Sequence, residues 1–381
     1  MSDTNHSRIW LSPPHMGGAE QHYVAEAFAT NWITSMGANV DAFEAQLEAF
    51  TQTKKAVALS SGTAALHLAL VCLNVKAGDI VLCQSFTFAA SAFPIQYIGA
   101  EPVFIDSEAT TWNMDPQLLR DALQHYQAKG KKVAAVIAVH LYGMPAQMEA
   151  LLQVCREFDV PLIEDAAEAL GSVYHGKPCG SLGTAGVLSF NGNKIITTSG
   201  GGALIGHDEA LIARARFLST QAREPFPYYE HEHTGYNYRM SNIVAGVGRG
   251  QMEVLEERIA ARRRNHEWYK TELGTVEGIS FLEEPAFCTS NRWLTTILIN
   301  TASTKKNYEY IRLYLEQHHI ESRPLWKPMH LQPVFKDCMV FKNGVAETLF
   351  HQGLCLPSGS ALTYEEIQRV CRLIKECIDG K

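Results

Sequence analysis

The chain is expected to be an α/β protein, with a large unit built on a mostly parallel mixed sheet and a smaller C-terminal α+β unit. Three patterns lead to this fold class. Short apolar runs alternate with helical stretches through residues 56–163, two further runs at 186–190 and 202–205 lie close together, and a long helical pattern at 241–273 gives way to mixed strand and helix. Strands separated by helices of about 10–15 residues make right-handed crossovers, which set the strands side by side in parallel.

Taken in order, apolar residues recur at three and four over 18–31 and 40–50, which predicts two amino-terminal helices. Strands are then expected at 56–59, 80–83, 102–105, 133–139 and 161–163, with helices at 63–74, 87–97, 115–128 and 145–158 between them. The runs at 186–190 and 202–205 come close together around Lys194, so the sheet is expected to contain an antiparallel edge there. The helix at 241–273 carries Glu253, Glu256, Glu257, Arg258, Arg262, Arg263 and Arg264, read as a solvated charged face bridging two domains. A strand at 293–299 and helices at 307–318 and 364–378 complete the smaller unit, and the division is placed at residues 1–250 and 251–381.

Composition narrows the function. The 381 residues, 46% hydrophobic and 19% charged, suffice for a substantial core. A net charge of −7 lacks the basic surplus of a nucleic-acid binder, so an anionic ligand must be held locally. Nine cysteines without a CxxC pair argue against a disulfide framework and for a reducing compartment, the cytoplasm. The start has no leader pattern, and no run reaches the roughly 18 apolar residues of a membrane span. His231, His233, His318 and His319 lack the spacing and partners of a zinc site, so no metal is expected.

Candidate chemistry collects at strand ends. Lys194 stands in SFNGNKIITTSGGGAL, five residues after Ser189 and between two strands, where a partly buried amine can act as a nucleophile. Ser60, Ser61, Gly62 and Thr63 follow a strand and open a helix. Free amides, a hydroxyl and the helix dipole there suit a phosphate, although the same residues can be a plain helix cap. Asp165 ends another strand, where a carboxylate can keep a ring nitrogen protonated or simply cap a helix. Phe86 and Phe88 are either core or an aromatic platform. His140 and Tyr142 also follow a strand end and are expected to line a substrate pocket.

A phosphate anchor, a stacking ring, a carboxylate and a lysine are the requirements of pyridoxal 5′-phosphate. Together with SSGTAALHLAL, QSFTFAASAFPI, VHLYGMPAQM, EDAAEALGS, GYNYRMSNIVAGVG and ESRPLWKPMHLQP, they make the chain resemble the DegT/DnrJ/EryC1/StrS nucleotide-sugar aminotransferases over nearly its whole length. The resemblance implies the aspartate aminotransferase fold (type I) and amination of a nucleotide-linked ketosugar at the expense of an amino acid such as glutamate. Within the family the chain looks most like enzymes that aminate C4 of UDP-4-keto-6-deoxy-N-acetylglucosamine for bacterial glycans.

Carried over position by position, the resemblance makes Lys194 the covalent lysine, Asp165 the partner of the ring nitrogen and Phe88 the stacking ring. Gly62, Thr63 and Ser189 would hold the phosphate, joined by Asn237 from a neighbouring subunit in a homodimer. Arg323, Lys327 and His330 would approach the sugar nucleotide. Glu168 departs from the histidine or glutamine often found near the cofactor hydroxyl. Relatives that dehydrate carry histidine at the lysine position, which disfavours dehydration here. A 3-aminotransferase or dehydratase, or a non-catalytic regulatory protein that only binds the cofactor, remains the alternative.

Overall fold

The computed structural model describes residues 7–380. Residues 1–6, part of the start read above as lacking a leader, lie outside the described residues, as does Lys381. Seven of the apolar runs and one further strand, Val340–Phe341, assemble into one sheet, in the spatial order Lys55–Leu59, Gly202–Gly206, Ala185–Ser189, Leu162–Asp165, Val133–Val139, Ile80–Gln84, Glu101–Ile105 and Val340–Phe341. From Ala185–Ser189 onward the pairings are parallel. Gly202–Gly206 runs antiparallel to both its neighbours; the antiparallel pairing expected of the close runs is present, but the strand lies one in from the edge because Lys55–Leu59 pairs outside it. Helices cover both faces, so central strands such as Ile80–Gln84 are buried along their whole length, as a parallel sheet requires.

The strand order reverses between Ile80–Gln84 and Val133–Val139, because the chain builds outward to Glu101–Ile105 before returning to the middle of the sheet. A crevice forms beyond the carboxyl ends of strands at such a reversal, and ligands bind there in open α/β sheets. Two expected helices differ from the pattern. Residues 87–97 form a short 3-10 turn, Ala89–Ser91, and a separate helix, Phe93–Tyr97, since Phe88 is extended and Pro94 fits only a helix's first turn. The stretch 241–273 breaks at Val254 into Asn242–Glu253 and Leu255–Leu273. Its charged face is also less uniform than expected: Glu253, Glu256, Glu257 and Arg264 are exposed, whereas Arg258 and Arg262 turn inward.

Downstream, Ile279–Phe281, Thr295–Ile299, Gly353–Leu356 and Arg323–Pro324 form a four-stranded antiparallel sheet. Leu255–Leu273, Tyr308–Gln317 and Tyr364–Asp379 supply the apolar residues packed with it. This second segment interlocks with the first. Val340–Phe341 extends the large sheet, Cys288–Thr289 pairs with Val173–Tyr174, and Ile9 bridges to Ile320. Among the described residues no helix is long and apolar enough to cross a membrane, and no group of three or more His, Cys, Asp or Glu is placed to hold a metal.

Candidate active site

The strand ends at the reversal open onto a cavity of about 200 Å³. Its wall includes Ser60, Ser61, Gly62, Thr63, Thr87, Phe88, Ser91, Asp165, Glu168, Ser189, Asn193, Lys194, Trp293 and Trp326. Nine residues singled out from the sequence meet here: Ser60, Ser61, Gly62, Thr63, Phe88, Asp165, Glu168, Ser189 and Lys194.

Lys194 lies on the loop 190–201 between the antiparallel strands Ala185–Ser189 and Gly202–Gly206. The loop is closed by Phe190 N–H to the Gly201 carbonyl at 2.8 Å and by Thr198 N–H to the Phe190 carbonyl at 2.9 Å. Lys194 Nζ sits 3.4 Å from Glu168 Oε1 and 4.2 Å from the centre of the Trp293 ring, between a carboxylate and an aromatic face. Burial raises the Glu168 carboxyl above its usual range, a shift offset in part by the lysine and by the Tyr142 amide, which donates to Glu168 Oε2 at 2.7 Å.

Glu164 and Asp165 end the strand Leu162–Asp165 and illustrate its alternation. Glu164 is fully occupied: it accepts from the amides of Gly180, Leu182 and Gly183 and pairs with His140 Nε2 at 2.8 Å. Asp165 faces the cavity, with Oδ2 accepting the Ser91 hydroxyl at 2.7 Å and Oδ1 accepting the Ala167 amide at 3.2 Å. Ser91 in turn shares a 2.7 Å hydrogen bond with Thr87.

Ser61 caps the helix Gly62–Cys72 by accepting Ala64 N–H, and its carbonyl accepts Ala65 N–H. The cap reading therefore holds, and the amides of Gly62 and Thr63, which precede the intrahelical ladder, leave the phosphate reading open. A Cβ on Gly202 would fall 2.3 Å from Gly62 N, so the neighbouring strand can lie against this helix start only as glycine.

The other sequence candidates lie off the cavity wall. His140 is 0% exposed, and both ring nitrogens are engaged, Nδ1 accepting the Ala146 amide at 3.0 Å and Nε2 facing Glu164. Tyr142 is buried behind the wall, and its hydroxyl accepts Trp326 N–H at 2.8 Å while its ring lies parallel to Trp326. Arg323 is paired with Glu321 at the surface. His330 bonds Ser85 Oγ at 2.6 Å and Glu347 at 3.1 Å, and Lys327 is half-buried outside the wall. Asn237 is exposed, in a segment that runs beside Lys55–Leu59. From the segment ESRPLWKPMH it is Trp326, unremarked in the sequence, that reaches the cavity.

The sequence model of the DegT/DnrJ/EryC1/StrS aminotransferase family matches residues 14–375. The chain belongs to that family. Its relatives include the "Putative pyridoxal phosphate-dependent aminotransferase EpsN" of Bacillus subtilis, 52% identical over 97% of this chain and 95% of the relative. A GDP-perosamine synthase of Caulobacter vibrioides is 36% identical over 97% of this chain and 98% of its own length. The PLP form of a putative sugar aminotransferase, Spr1654 from Streptococcus pneumoniae, superposes with a TM-score of 0.89 at 28% identity, covering 98% and 99% of the two chains.

As a DegT/DnrJ/EryC1/StrS member, the protein is an aminotransferase. Sequence reasoning overlooked Thr87, Ser91, Trp293 and Trp326 in the wall of this cavity. Thr87 and Ser91 stand in the quoted motif QSFTFAASAFPI, so their hydroxyls were within reach of the sequence. The two tryptophans come from the second segment and gave no local signal.

Proposed function

We propose that the protein uses pyridoxal 5′-phosphate to move an amino group from L-glutamate to a nucleotide-linked 4-keto-6-deoxy sugar, with UDP-4-keto-6-deoxy-N-acetylglucosamine as the specific acceptor. The carrying observation is that Lys194 and Asp165 open onto one cavity, each already oriented by a neighbour.

The residues present fit the cofactor. A Cβ on Gly62 would stand 3.2 Å from Ser189 Cβ, so the helix start and the Ser189 hydroxyl form a cradle that a larger residue would fill. Gly62, Thr63 and Ser189 would take the phosphate there, joined by Asn237 of a second copy. Bound there, the group supplies a carbonyl that condenses with amines and a ring that accepts the electron pair released at the neighbouring carbon.

Everything else falls to the chain. Asp165, fixed by Ser91 and Ala167, would hold a proton on the ring nitrogen, and Phe88 would offer an aromatic face. Lys194 would make the covalent attachment. Once free, its Nζ would take a proton from the donor's α-carbon and return it to the carbon that carried the carbonyl, with Glu168 Oε1 as its neighbour. Trp293 and Trp326 would exclude water from the far wall.

A homodimer with shared sites is part of this reading. Asn237 is exposed, and Phe28, Trp32 and Met36 present 61%, 50% and 60% of their surface in one amino-terminal stretch, apolar side chains that a second copy would cover. We also place the protein in the cytoplasm, in keeping with its free cysteines. The division at residues 1–250 and 251–381 enters as a proposal too, the first segment holding the cofactor and the second closing the cavity.

The name of the Caulobacter relative keeps a GDP-sugar acceptor as the competing reading. Incubating the enzyme and glutamate with UDP-, GDP- and dTDP-linked 4-keto-6-deoxy sugars, with product detected by mass, decides between them. Amino-sugar formation with the UDP compound is expected; formation only with another nucleotide overturns the substrate, and none with any overturns the activity.

A further inference from the structure

Arg262 lies on the helix Leu255–Leu273 with 1% of its surface exposed. Its guanidinium donates to three neutral oxygens: the Trp293 carbonyl at 2.5 Å, Ser12 Oγ at 2.9 Å and the Lys194 carbonyl at 3.5 Å. No carboxylate is among its ion-pair partners in the described residues. Burial lowers its pKa to about 9, which still leaves it charged at neutral pH. A buried charge without a counter-ion costs stability, and an apolar side chain of similar volume would fill the space at less cost.

What the guanidinium does have is reach. Its rigid fork reaches the three segments from two separate nitrogens, whereas a lysine would have to meet all three from one. All three segments converge on the backbone on either side of Lys194. Ser12 Oγ, while accepting from Arg262, donates to the Asn193 carbonyl at 2.7 Å, and Trp293 Nε1 donates to the same carbonyl at 2.8 Å. The carbonyls of Asn193 and Lys194 are thus both held from the same side of the chain, and the Trp293 ring contributed by this clamp lies under Lys194 Nζ.

Ser12 is itself anchored at a distance. Residues 9–15 form a strap: the Ile9 amide donates to the His319 carbonyl at 2.9 Å, the Leu11 amide to Glu321 at 3.1 Å, and the Leu11 carbonyl accepts the Ser358 amide at 2.7 Å. The strap therefore joins the four-stranded unit to the loop that carries the lysine.

We infer that Arg262 is a positioning residue for Lys194, acting with Ser12 and Trp293 to fix the backbone carbonyls of Asn193 and Lys194 and so aim the reactive amine into the cavity. This rests on the function proposed above, so the test includes a measurement independent of the cofactor. Arg262→Met keeps volume and removes the fork, Ser12→Ala removes one hydroxyl, and Arg262→Lys restores the charge alone.

In the cofactor-free protein, acetylation of each lysine by a succinimidyl ester is followed by peptide mass mapping. The rate at Lys194 is expected to rise about threefold in Arg262→Met and Ser12→Ala as the amine leaves Glu168 and Trp293, with other lysines unchanged. On adding pyridoxal phosphate, covalent attachment followed by absorbance is expected to slow. Turnover in Arg262→Met should fall by about tenfold or more with KM kept within about twofold, while its melting temperature is kept or raised. Arg262→Lys should recover part of kcat. Unchanged Lys194 acetylation and attachment in both variants overturns the clamp. So does a loss of melting temperature that accounts for the whole change in turnover. If Arg262→Met does not fold, Ser12→Ala decides. Wild-type protein that never attaches pyridoxal phosphate overturns the proposed function instead, while the acetylation rates still judge the clamp.

Discussion

Glu168 carries a burial cost that sets a pH dependence. Its carboxyl titrates above the usual glutamate value because desolvation outweighs the help of Lys194 and the Tyr142 amide. At pH below that value the group is neutral in folded and unfolded chains alike, and costs nothing. As pH rises, the unfolded chain ionises first, so stability is lost until the folded carboxyl also ionises. Cofactor-free Glu168→Gln should therefore melt a few degrees above wild type at neutral pH, with the gap closing below pH about 4 when thermal unfolding is followed against pH. His140 makes the opposite case. Both its nitrogens are used internally, so His140→Ala should destabilise by about 2–4 kcal/mol in denaturant titration, through the uncompensated Glu164, and leave KM for the sugar unaltered. Lys194 and Asp165 were legible because a strand end followed by reactive chemistry is a local pattern. His140 occupies the same kind of position, yet only the three-dimensional partners reveal that its ring is spent on Glu164 and Ala146. Trp293 is recruited across about a hundred residues of chain by the Asn193 carbonyl, a contact that no local spacing announces.

At the scale of elements, the cradle depends on a strand packed against a helix start. Gly202→Ala would press a methyl into the Gly62 amide and the Ser61 carbonyl, which are backbone and cannot swing away. A cost of about 1–3 kcal/mol is expected by denaturant unfolding, with a weaker affinity for pyridoxal phosphate by calorimetry. An unchanged affinity would mean that the phosphate is held elsewhere. Alternation of strand and helix made the parallel sheet readable, since only a covered sheet buries runs such as Ile80–Gln84 on both faces. The break at Val254 was not readable, because no proline or glycine stands there. The inward turn of Arg258 and Arg262 was hidden by composition, which cannot tell a solvated arginine from one buried for its donors.

For the whole molecule, the fold brings two segments of chain to one cavity and, in the proposed dimer, two copies. Mixing Asn237→Ala and Lys194→Ala protomers should restore activity above either parent, because one of the two sites in a mixed dimer then has both residues intact. Activity no greater than the parents' would remove the shared site. The interlocking of the segments through Val340–Phe341 and the strap at 9–15 escaped sequence reading, since two-residue strands and extended segments have no period to detect. All of these arguments converge on one covalent bond. The protein loaded with pyridoxal phosphate, reduced with borohydride, digested and mapped by mass should carry the label on the peptide containing Lys194 and lose it in Lys194→Ala. A label on any other residue, or none at all, contradicts the assignment of this cavity as the aminotransferase centre.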